Sequence, residues 1–358
     1  MYIGIPKESR PYEYRVGLSP AGVEILSHFG HQVFIEHDAG SGAGFSDQEY
    51  ERVGAKLVYS PQEVFGRADF LLKISRPLKQ ELEWLRDGSI LAGFLHLASS
   101  SQDQIDLLLE KKVTALAYEQ ITDPSGGFAV LRPFSQICGA MVAQIAARLL
   151  QTNRGGKGIL LSGLPGVPPA EVVILGGGAV GTAAARSMLG AGAHVTVLDK
   201  NMSALEKLAD RVPGVVTLMA TKRNIERSTA FADVLVGAVL VSGQRAPVVV
   251  TREMVKAMKP RSVIIDASID QGGCIETSRP TMHDNPTFIE ENAVHYCVPN
   301  IPSLVARTAS HVFVNSAIPY IADIANHGIE VMIKQEPSIE AAVNTHQGNL
   351  VNLVRLSA

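Results

Sequence analysis

Three glycines at fixed spacing form the clearest site for chemistry in this chain of 358 residues. Gly176, Gly178 and Gly181 follow an apolar run at 172–175, and a helix-forming run comes directly after them. In this order the first glycine permits a tight turn, the second lets the backbone approach a phosphate, and the third allows close packing of the helix. The N-terminus of that helix, where Ala179 and Val180 lie, offers N–H groups to an anion. The spacing predicts a turn that binds phosphate.

Asp199 indicates which nucleotide the turn would bind. It ends a second apolar run at 194–198, so strand, glycine turn, helix, strand and acidic residue form one βαβ unit. A carboxylate at this point accepts hydrogen bonds from ribose hydroxyls and repels a 2′-phosphate. We therefore predict NAD rather than NADP as the cofactor, although the neighbouring Lys200 weakens that preference. The alternative is a glycine-rich turn in some other α/β protein.

Polar side chains follow apolar runs in the N-terminal part of the chain as well. Lys73 and His96 each close such a run, and Arg15 lies in the loop after the first predicted strand. Ligands of open α/β sheets bind beyond the carboxyl ends of the strands, so we expect these side chains to emerge at one edge. Arginine and lysine together bind carboxylates, and histidine exchanges protons near neutrality. A surface salt bridge or a structural histidine is the alternative for each residue alone.

A second titratable group follows the apolar run at 262–266. Asp266 and Asp270 both lie in the segment DASIDQGG, and either could be the functional carboxylate. We favour Asp270, because aspartates at strand ends often hold the turn instead. Asp270 would lie across a cleft between two domains from His96, which supplies the pair of groups that acid–base chemistry needs.

The order of predicted elements places these residues in two α/β domains. Strands and helices alternate over the first 130 residues, and again from residue 172 onward. This alternation predicts two doubly wound domains, the second a Rossmann dinucleotide-binding fold, with a cleft between them. We assign 1–130 plus 305–358 to a substrate domain and 131–304 to an NAD-binding domain. A long helix at 135–151 would join them, 163–169 would be a loop, and the weakly patterned tail 341–353 would pack on the first domain.

Composition argues against several classes of protein. The net charge is −3 and no long basic run appears, so we expect no nucleic-acid partner. The apolar run at 234–241 is too short to span a bilayer, and no signal-peptide core is seen. Three cysteines without a C-x-x-C pair argue against disulfides or zinc and favour the cytoplasm. The other histidines show no metal spacing, so we predict no metal.

Long segments of the chain resemble the alanine dehydrogenase family, whose relatives include the NAD-binding domain of proton-translocating transhydrogenase. They include GIPKESRPYEYRVGLSPAG, LRPFSQICG, GGKGILLSGLPGVPPAEVVILGGGAVG and SVIIDASIDQGGCIETSRPTMHD. The resemblance implies reversible, NAD-dependent oxidative deamination of L-alanine to pyruvate and ammonia, by a homo-oligomer that is a hexamer or a dimer. It implies that Arg15 and Lys73 bind the substrate carboxylate, that His96 and Asp270 are catalytic, and that Asn300 lies beside substrate and nicotinamide. The implied cofactor contacts also include Ser135, Val239, Leu240, Asp270, Val298 and Ile301.

The chain departs from the family pattern at 299–309. From residue 298 to residue 310 the chain reads VPNIPSLVARTAS, where the family resembles VANMPGAVPRTST, and the larger Leu304 would reshape the substrate pocket. One alternative is therefore an NAD-dependent dehydrogenase of another amino or imino acid. A second is a transhydrogenase-like module that holds NAD(H) without a substrate of its own, and a third is a catalytically silent scaffold.

Overall fold

The computed structural model describes residues 1–241 and 245–353. The chain divides into two compact units, Met1–Phe134 with Ser303–Ala358, and Ser135–Pro302. The last five positions of the predicted segment 305–358 lie outside the described residues. The strands are β1 Tyr2–Ile5, β2 Gln32–Glu36, β3 Lys56–Val58, β4 Phe70–Ser75, β5 Ile90–Phe94, β6 Thr114–Ala117, β7 Glu171–Leu175, β8 His194–Asp199, β9 Val216–Met219, β10 Val234–Gly237, β11 Val263–Asp266, β12 Thr287–Glu290, β13 Ala293–Tyr296, β14 Val343–His346 and β15 Asn349–Leu350. The helices are α1 Pro20–His28, α2 Asp47–Arg52, α3 Pro61–Arg67, α4 Lys79–Glu83, α5 Gln102–Glu110, α6 Leu131–Leu149, α7 Ala179–Gly190, α8 Met202–Arg211, α9 Lys222–Phe231, α10 Arg252–Lys256, α11 Ala306–His327, α12 Ile329–Gln335 and α13 Pro337–Ala342.

The first unit contains an eight-stranded sheet in the order β15-β14-β6-β5-β4-β1-β2-β3. Strands β1 to β6 pair in parallel, whereas β14 runs antiparallel to β6 and β15 antiparallel to β14. The C-terminal segment thus completes the sheet of this unit, as two short strands where the sequence showed little pattern. β14 is largely buried between β6 and β15 although it contains Asn344 and Thr345, whereas both residues of the edge strand β15 are exposed, so neither strand has an apolar run that marks it in the sequence.

The second unit contains a seven-stranded sheet in the order β12-β13-β11-β10-β7-β8-β9. All neighbouring strands from β13 at one side of the sheet to β9 at the other edge pair in parallel. The chain adds strands on one side of β7 with β8 and β9 and then on its other side with β10, β11 and β13, as in dinucleotide-binding folds. Only β12, which sequence reasoning missed, is antiparallel. The predicted fold class, two doubly wound α/β sheets of which the second is Rossmann-type, is confirmed.

The long helix α6 begins earlier than the expected position 135. It starts at Leu131 and includes Pro133, which a first helical turn tolerates because its N–H groups have no partners inside the helix. Further along, Gly139 lies against α7, where an added Cβ would be only 2.3 Å from the carbonyl oxygen of Val180. Gly139 therefore permits α6 to pack closely against α7. Within the described ranges, no helix has both the length and the apolar character of a membrane span.

Asp233 joins three segments of the second unit just before β10. Its carboxylate accepts hydrogen bonds from Lys157, from Lys259 at 3.2 Å, and from the Glu171 N–H at 3.0 Å. Burial by itself would raise the pKa of Asp233, but the hydrogen bonds from these groups lower it below its usual value. The charged form is therefore the one that the fold prefers.

We expect Asp233→Asn to lower the free energy of unfolding at pH 7 by about 1–3 kcal/mol, because buried donors lose a charged acceptor. A carboxyl group whose pKa is lower in the folded state stabilises the fold above its ordinary pKa and loses that contribution as the pH falls. The difference from wild type should therefore shrink below about pH 4. Urea unfolding over a pH series measures it, with the exposed Asp210→Asn as control. A difference that does not depend on pH would contradict the ionic role.

Candidate active site

The glycine turn of the second unit is built on contacts that exclude larger residues. Gly176 has φ 106°, and a Cβ there would lie 2.3 Å from the carbonyl oxygen of Ala238. A Cβ at Gly181 would lie 1.8 Å from the carbonyl oxygen of Gly176. Both distances are far below van der Waals contact, so these two glycines are required by the fold itself.

Gly178 differs, because an added Cβ there would have no protein atom within 4 Å. This exposed residue is the N-cap of α7, a helix of 12 residues. The first N–H groups of a helix lack carbonyl partners within it and attract anions. Open space in front of such a helix end is the space that a pyrophosphate would fill, so the residues present fit a dinucleotide.

Asp199 lies at the end of β8, next to the same turn. Its carboxylate accepts the Gly177 N–H at 2.7 Å and the Asn201 N–H at 2.8 Å. These two bonds fix the carboxylate beside the turn. Since each carboxylate oxygen has two acceptor positions, Asp199 can accept further hydrogen bonds from ribose hydroxyls.

The loops after β10 and β11 are tied together by Asp266 and Ser268. Asp266 accepts the N–H groups of Ser268 and Cys274, each at 3.0 Å. The Ser268 hydroxyl in turn accepts the Val239 N–H at 2.9 Å. Burial raises the pKa of Asp266 in spite of the hydrogen bonds that it accepts. Asp266 therefore holds the turn, which is the alternative that the sequence offered for it.

Asp270 remains exposed, in a single turn of 3₁₀ helix at Ile269–Gln271. The Asn300 N–H lies 3.4 Å from its Oδ2, and Asn300 has the left-handed φ of 56°. Val298 and Ile301, on either side of Asn300, are buried, whereas Leu240 is exposed. Ser135 is half-buried in α6. Apart from Ser135, the predicted residues of this unit lie at the end of β8 or after β7, β10, β11 or β13, at the carboxyl edge of one sheet.

The Asp270 carboxylate also influences a cysteine. Burial, with a smaller contribution from the charge of Asp270, raises the pKa of Cys138 to about 12. Cys138 is therefore a neutral thiol at physiological pH.

In the first unit, Lys73 differs from the expectation that it ends a strand and emerges at the edge. It lies inside β4, opposite a register shift between β4 and β5, and its side chain is 1% exposed. Its ammonium group contacts Glu81 at 3.0 Å and Glu8 at 3.2 Å. Burial alone would lower the pKa of Lys73, but the two carboxylates raise it above its usual value. Lys73 can be buried because it is paired, and it stays protonated.

Arg15 is also buried and paired. Its guanidinium donates from Nε to Glu13 Oε1 at 2.6 Å and from Nη2 to Glu13 Oε2 at 2.5 Å. The guanidinium carbon lies 5.3 Å from the ring centre of Phe134. A Cβ on the nearby Gly17 would be 2.2 Å from the Leu72 carbonyl oxygen, so this loop runs directly over β4, next to Lys73.

His96 is the exposed member of the group, with 57% of its side chain accessible. It follows β5 with a left-handed φ of 45°. Glu119, which follows the neighbouring β6, accepts the His96 N–H at 2.6 Å and the Leu95 N–H at 3.2 Å. The His96 Nδ1 lies 3.7 Å from the same carboxylate. Glu119 therefore fixes the backbone that presents the imidazole.

Sequence reasoning missed the acidic partners of these three residues, Glu8, Glu13, Glu81 and Glu119. Their only signal is that two of them lie in the segment KESRPYEYR, next to Arg15. It also missed that His37, Asp38 and Asp47 place possible ligand atoms within 4.8 Å of one another. That group is mostly exposed, and His37 and Asp47 are already hydrogen-bonded to each other at 2.5 Å.

Comparison with known proteins places these features in a family. Residues 4–138 match the description "Alanine dehydrogenase/PNT, N-terminal domain", and residues 142–353 match "Alanine dehydrogenase/PNT, C-terminal domain". A curated alanine dehydrogenase from Methanococcus maripaludis is 46% identical over 98% of this chain and 94% of its own length.

Two solved structures are similar over nearly the whole chain. An L-alanine dehydrogenase is 41% identical, with a TM-score of 0.94, over 98% of this chain and 97% of its own. A transhydrogenase from Sinorhizobium meliloti is 25% identical, with a TM-score of 0.84, over 98% and 99% of the two chains. The expected resemblance and the expectation of an enzyme are both confirmed. The chain belongs to the alanine dehydrogenase/PNT family.

Proposed function

We propose that this protein catalyses the reversible, NAD-dependent oxidative deamination of L-alanine to pyruvate and ammonia. The observation that carries the proposal is the carboxyl edge of the second sheet. There the glycine turn, Asp199 and the exposed Asp270 follow strands of one sheet. Curated relatives named alanine dehydrogenase support the choice of substrate. The cytoplasmic location, expected from the cysteine pattern, and the homo-oligomer, implied by the resemblance, belong to the same proposal.

Each step of the proposed reaction has a group suited to it. When bound, NAD supplies the hydride acceptor. Arg15 and Lys73 bind the substrate carboxylate and orient the Cα hydrogen, Lys73 as a fixed positive charge because its pKa is raised. His96 and Asp270 transfer protons as water adds to the imine and ammonia leaves, since both are exposed at strand ends. The backbone N–H of Asn300 lies beside the Asp270 carboxylate, at 3.4 Å from Oδ2.

A dehydrogenase of another amino or imino acid is the second candidate. Within the altered segment 299–309, the buried Ser303 donates a hydrogen bond to the Tyr12 carbonyl oxygen at 2.8 Å. Tyr12 directly precedes the Glu13–Arg15 pair, so this substitution contacts the loop proposed to bind the substrate carboxylate. A transhydrogenase-like module without a substrate is distinguished from both by the absence of turnover.

Gly178→Ala tests whether the glycine turn binds the pyrophosphate of the cofactor. Its Cβ would clash with no protein atom but would occupy the space proposed for the pyrophosphate. We expect the Kd for NADH to rise about tenfold or more, the effect of losing one charge-assisted hydrogen bond. The melting temperature should change little. Fluorescence titration and thermal unfolding measure both effects.

Gly190→Ala is the matched control, because Gly190 lies in the same helix and its Cβ would also meet nothing within 4 Å. It should bind NADH as the wild type does. Equal affinities in the two variants would exclude phosphate from the space in front of Gly178.

Asp199 should determine the preference between the two nicotinamide cofactors. Asp199→Asn removes the charge that repels a 2′-phosphate and keeps one acceptor oxygen, and Asp199→Ala also removes the bonds to Gly177 and Asn201. We expect both variants to raise the ratio of kcat/KM for NADPH to that for NADH. Steady-state kinetics with both cofactors measures this ratio. A wild type that uses the cofactors equally would contradict the assignment.

The reaction itself is tested by NADH oxidation with ammonia and a panel of 2-oxo acids, and by NAD reduction with the matching amino acids. Pyruvate and L-alanine should give the highest kcat/KM. His96→Ala and Asp270→Asn should each lower turnover about 10²–10⁴-fold, in both directions, with NADH binding kept.

The exposed His28→Ala and Asp284→Asn serve as controls and should keep full activity. If the enzyme prefers a different 2-oxo acid, the matching amino acid and not L-alanine is its substrate. Near wild-type turnover of Asp270→Asn on every substrate would remove Asp270 from the mechanism.

A further inference from the structure

Glu13 is placed to control how Arg15 can bind a ligand. Its side chain is 1% exposed and that of Arg15 is 7% exposed, so the pair is removed from solvent. Both carboxylate oxygens lie on the Nε/Nη2 edge of the guanidinium, at 2.6 and 2.5 Å. A guanidinium offers two edges that can each bind a carboxylate through two parallel hydrogen bonds. Glu13 occupies the Nε/Nη2 edge, so the Nη1/Nη2 edge is the one on which a ligand carboxylate could bind.

The surrounding backbone holds this geometry from several sides. Tyr12 has φ 62°, and its carbonyl oxygen accepts the hydrogen bond from Ser303. The Val16 N–H lies 3.4 Å from the Ser310 hydroxyl of α11, and Gly17 lies against the backbone of β4. Phe134 covers one face of the guanidinium. With these contacts in place, the carboxylate of Glu13 sets the rotation of the guanidinium plane.

We propose that Glu13 is a positioning residue for substrate binding, which holds Arg15 so that only its Nη1/Nη2 edge meets the carboxylate of the 2-oxo or amino acid. The inference rests on the proposed function, in which Arg15 binds that carboxylate. Its consequence concerns the orientation of the bound substrate. A carboxylate bound to this edge lies in the guanidinium plane, and the bond from the carboxylate to Cα points away from Arg15 along a fixed line. Glu13 would thereby fix the orientation in which the reacting carbon is presented.

The pairing also lowers the net charge that the substrate meets. Arg15 with Glu13 is a neutral pair, and Lys73 with Glu8 and Glu81 carries a net negative charge. These groups therefore supply no net attraction for a carboxylate at long range, and binding depends on the geometry of the hydrogen bonds. Loss of the partner carboxylate should consequently weaken substrate binding even though the site becomes more positive.

Glu13→Gln tests this, because glutamine keeps the size of the side chain but offers one acceptor and turns an N–H donor toward the guanidinium. We expect KM for pyruvate to rise about 10- to 100-fold, the range for one charge-assisted hydrogen bond, with kcat changed less than about fivefold. The Kd for NADH should be unchanged. Glu63→Gln is the control, since Glu63 pairs with Arg67 at 2.6 Å on the surface of the same unit.

A double-mutant cycle with Arg15→Lys separates positioning from folding. If Glu13 acts through Arg15, the double variant should raise KM little beyond Arg15→Lys alone. A merely structural role would lower the melting temperature and the active fraction, with KM unchanged. KM of Glu13→Gln within twofold of wild type, or independent effects that multiply in the double variant, would overturn the inference.

Two further measurements keep the result decisive. If Glu13→Gln does not fold, Glu13→Asp keeps the charge on a shorter side chain. It should raise KM by less, and an unchanged KM with reduced stability would overturn the proposal.

If the wild type turns over no 2-oxo acid, the proposed function fails. Calorimetric titration of oxamate into the NADH complex of each variant then decides the role of Glu13, with weaker binding expected for Glu13→Gln and equal binding overturning it.

Discussion

A charged side chain can lie inside this protein only where opposite charge or N–H groups compensate it, because burial of an unpaired charge is costly. Lys73 meets two carboxylates, Arg15 meets both oxygens of Glu13, and Asp266 accepts N–H groups from its own loop. Each pairing fixes a segment that follows a strand. These pairs, together with hydrogen bonds such as those that Glu119 accepts from the Leu95 and His96 N–H groups, hold the edges of the two sheets in order.

The same constraint divides the polar residues of each edge into two groups. Lys73, Arg15 and Asp266 are buried and hold positions, and Lys73 stays charged because its two partner carboxylates raise its pKa. His96 and Asp270 are exposed, on backbone that neighbouring groups hold in place. Groups that must exchange protons need access to solvent or substrate, whereas groups that only bind a carboxylate can be enclosed. This division agrees with an acid–base role for the exposed pair.

Close approach of backbone is the second constraint, and it acts on the glycine turn. Gly176 and Gly181 admit no Cβ because carbonyl oxygens lie against them, while Gly178 faces open space. The fold alone therefore explains Gly176 and Gly181, whereas Gly178 is explained by the ligand proposed to occupy the space in front of it. Membership in the alanine dehydrogenase/PNT family is consistent with this reading, since its relatives include both dehydrogenases and a transhydrogenase.

Local pattern was enough to predict the parallel strands, the glycine turn at 176–181, the acid at the end of β8 and the position of Asp270 after β11, since each depends on neighbours close along the chain. The missed strands β12, β14 and β15 are short antiparallel additions, whose stability comes from pairing with β13 and β6 rather than from their own sequence. The burial of Lys73 and the partners Glu8, Glu81 and Glu119 were likewise decided by tertiary structure. A sequence states that a residue is charged, but which opposite charge reaches it depends on strands and loops that are distant along the chain and meet only after folding.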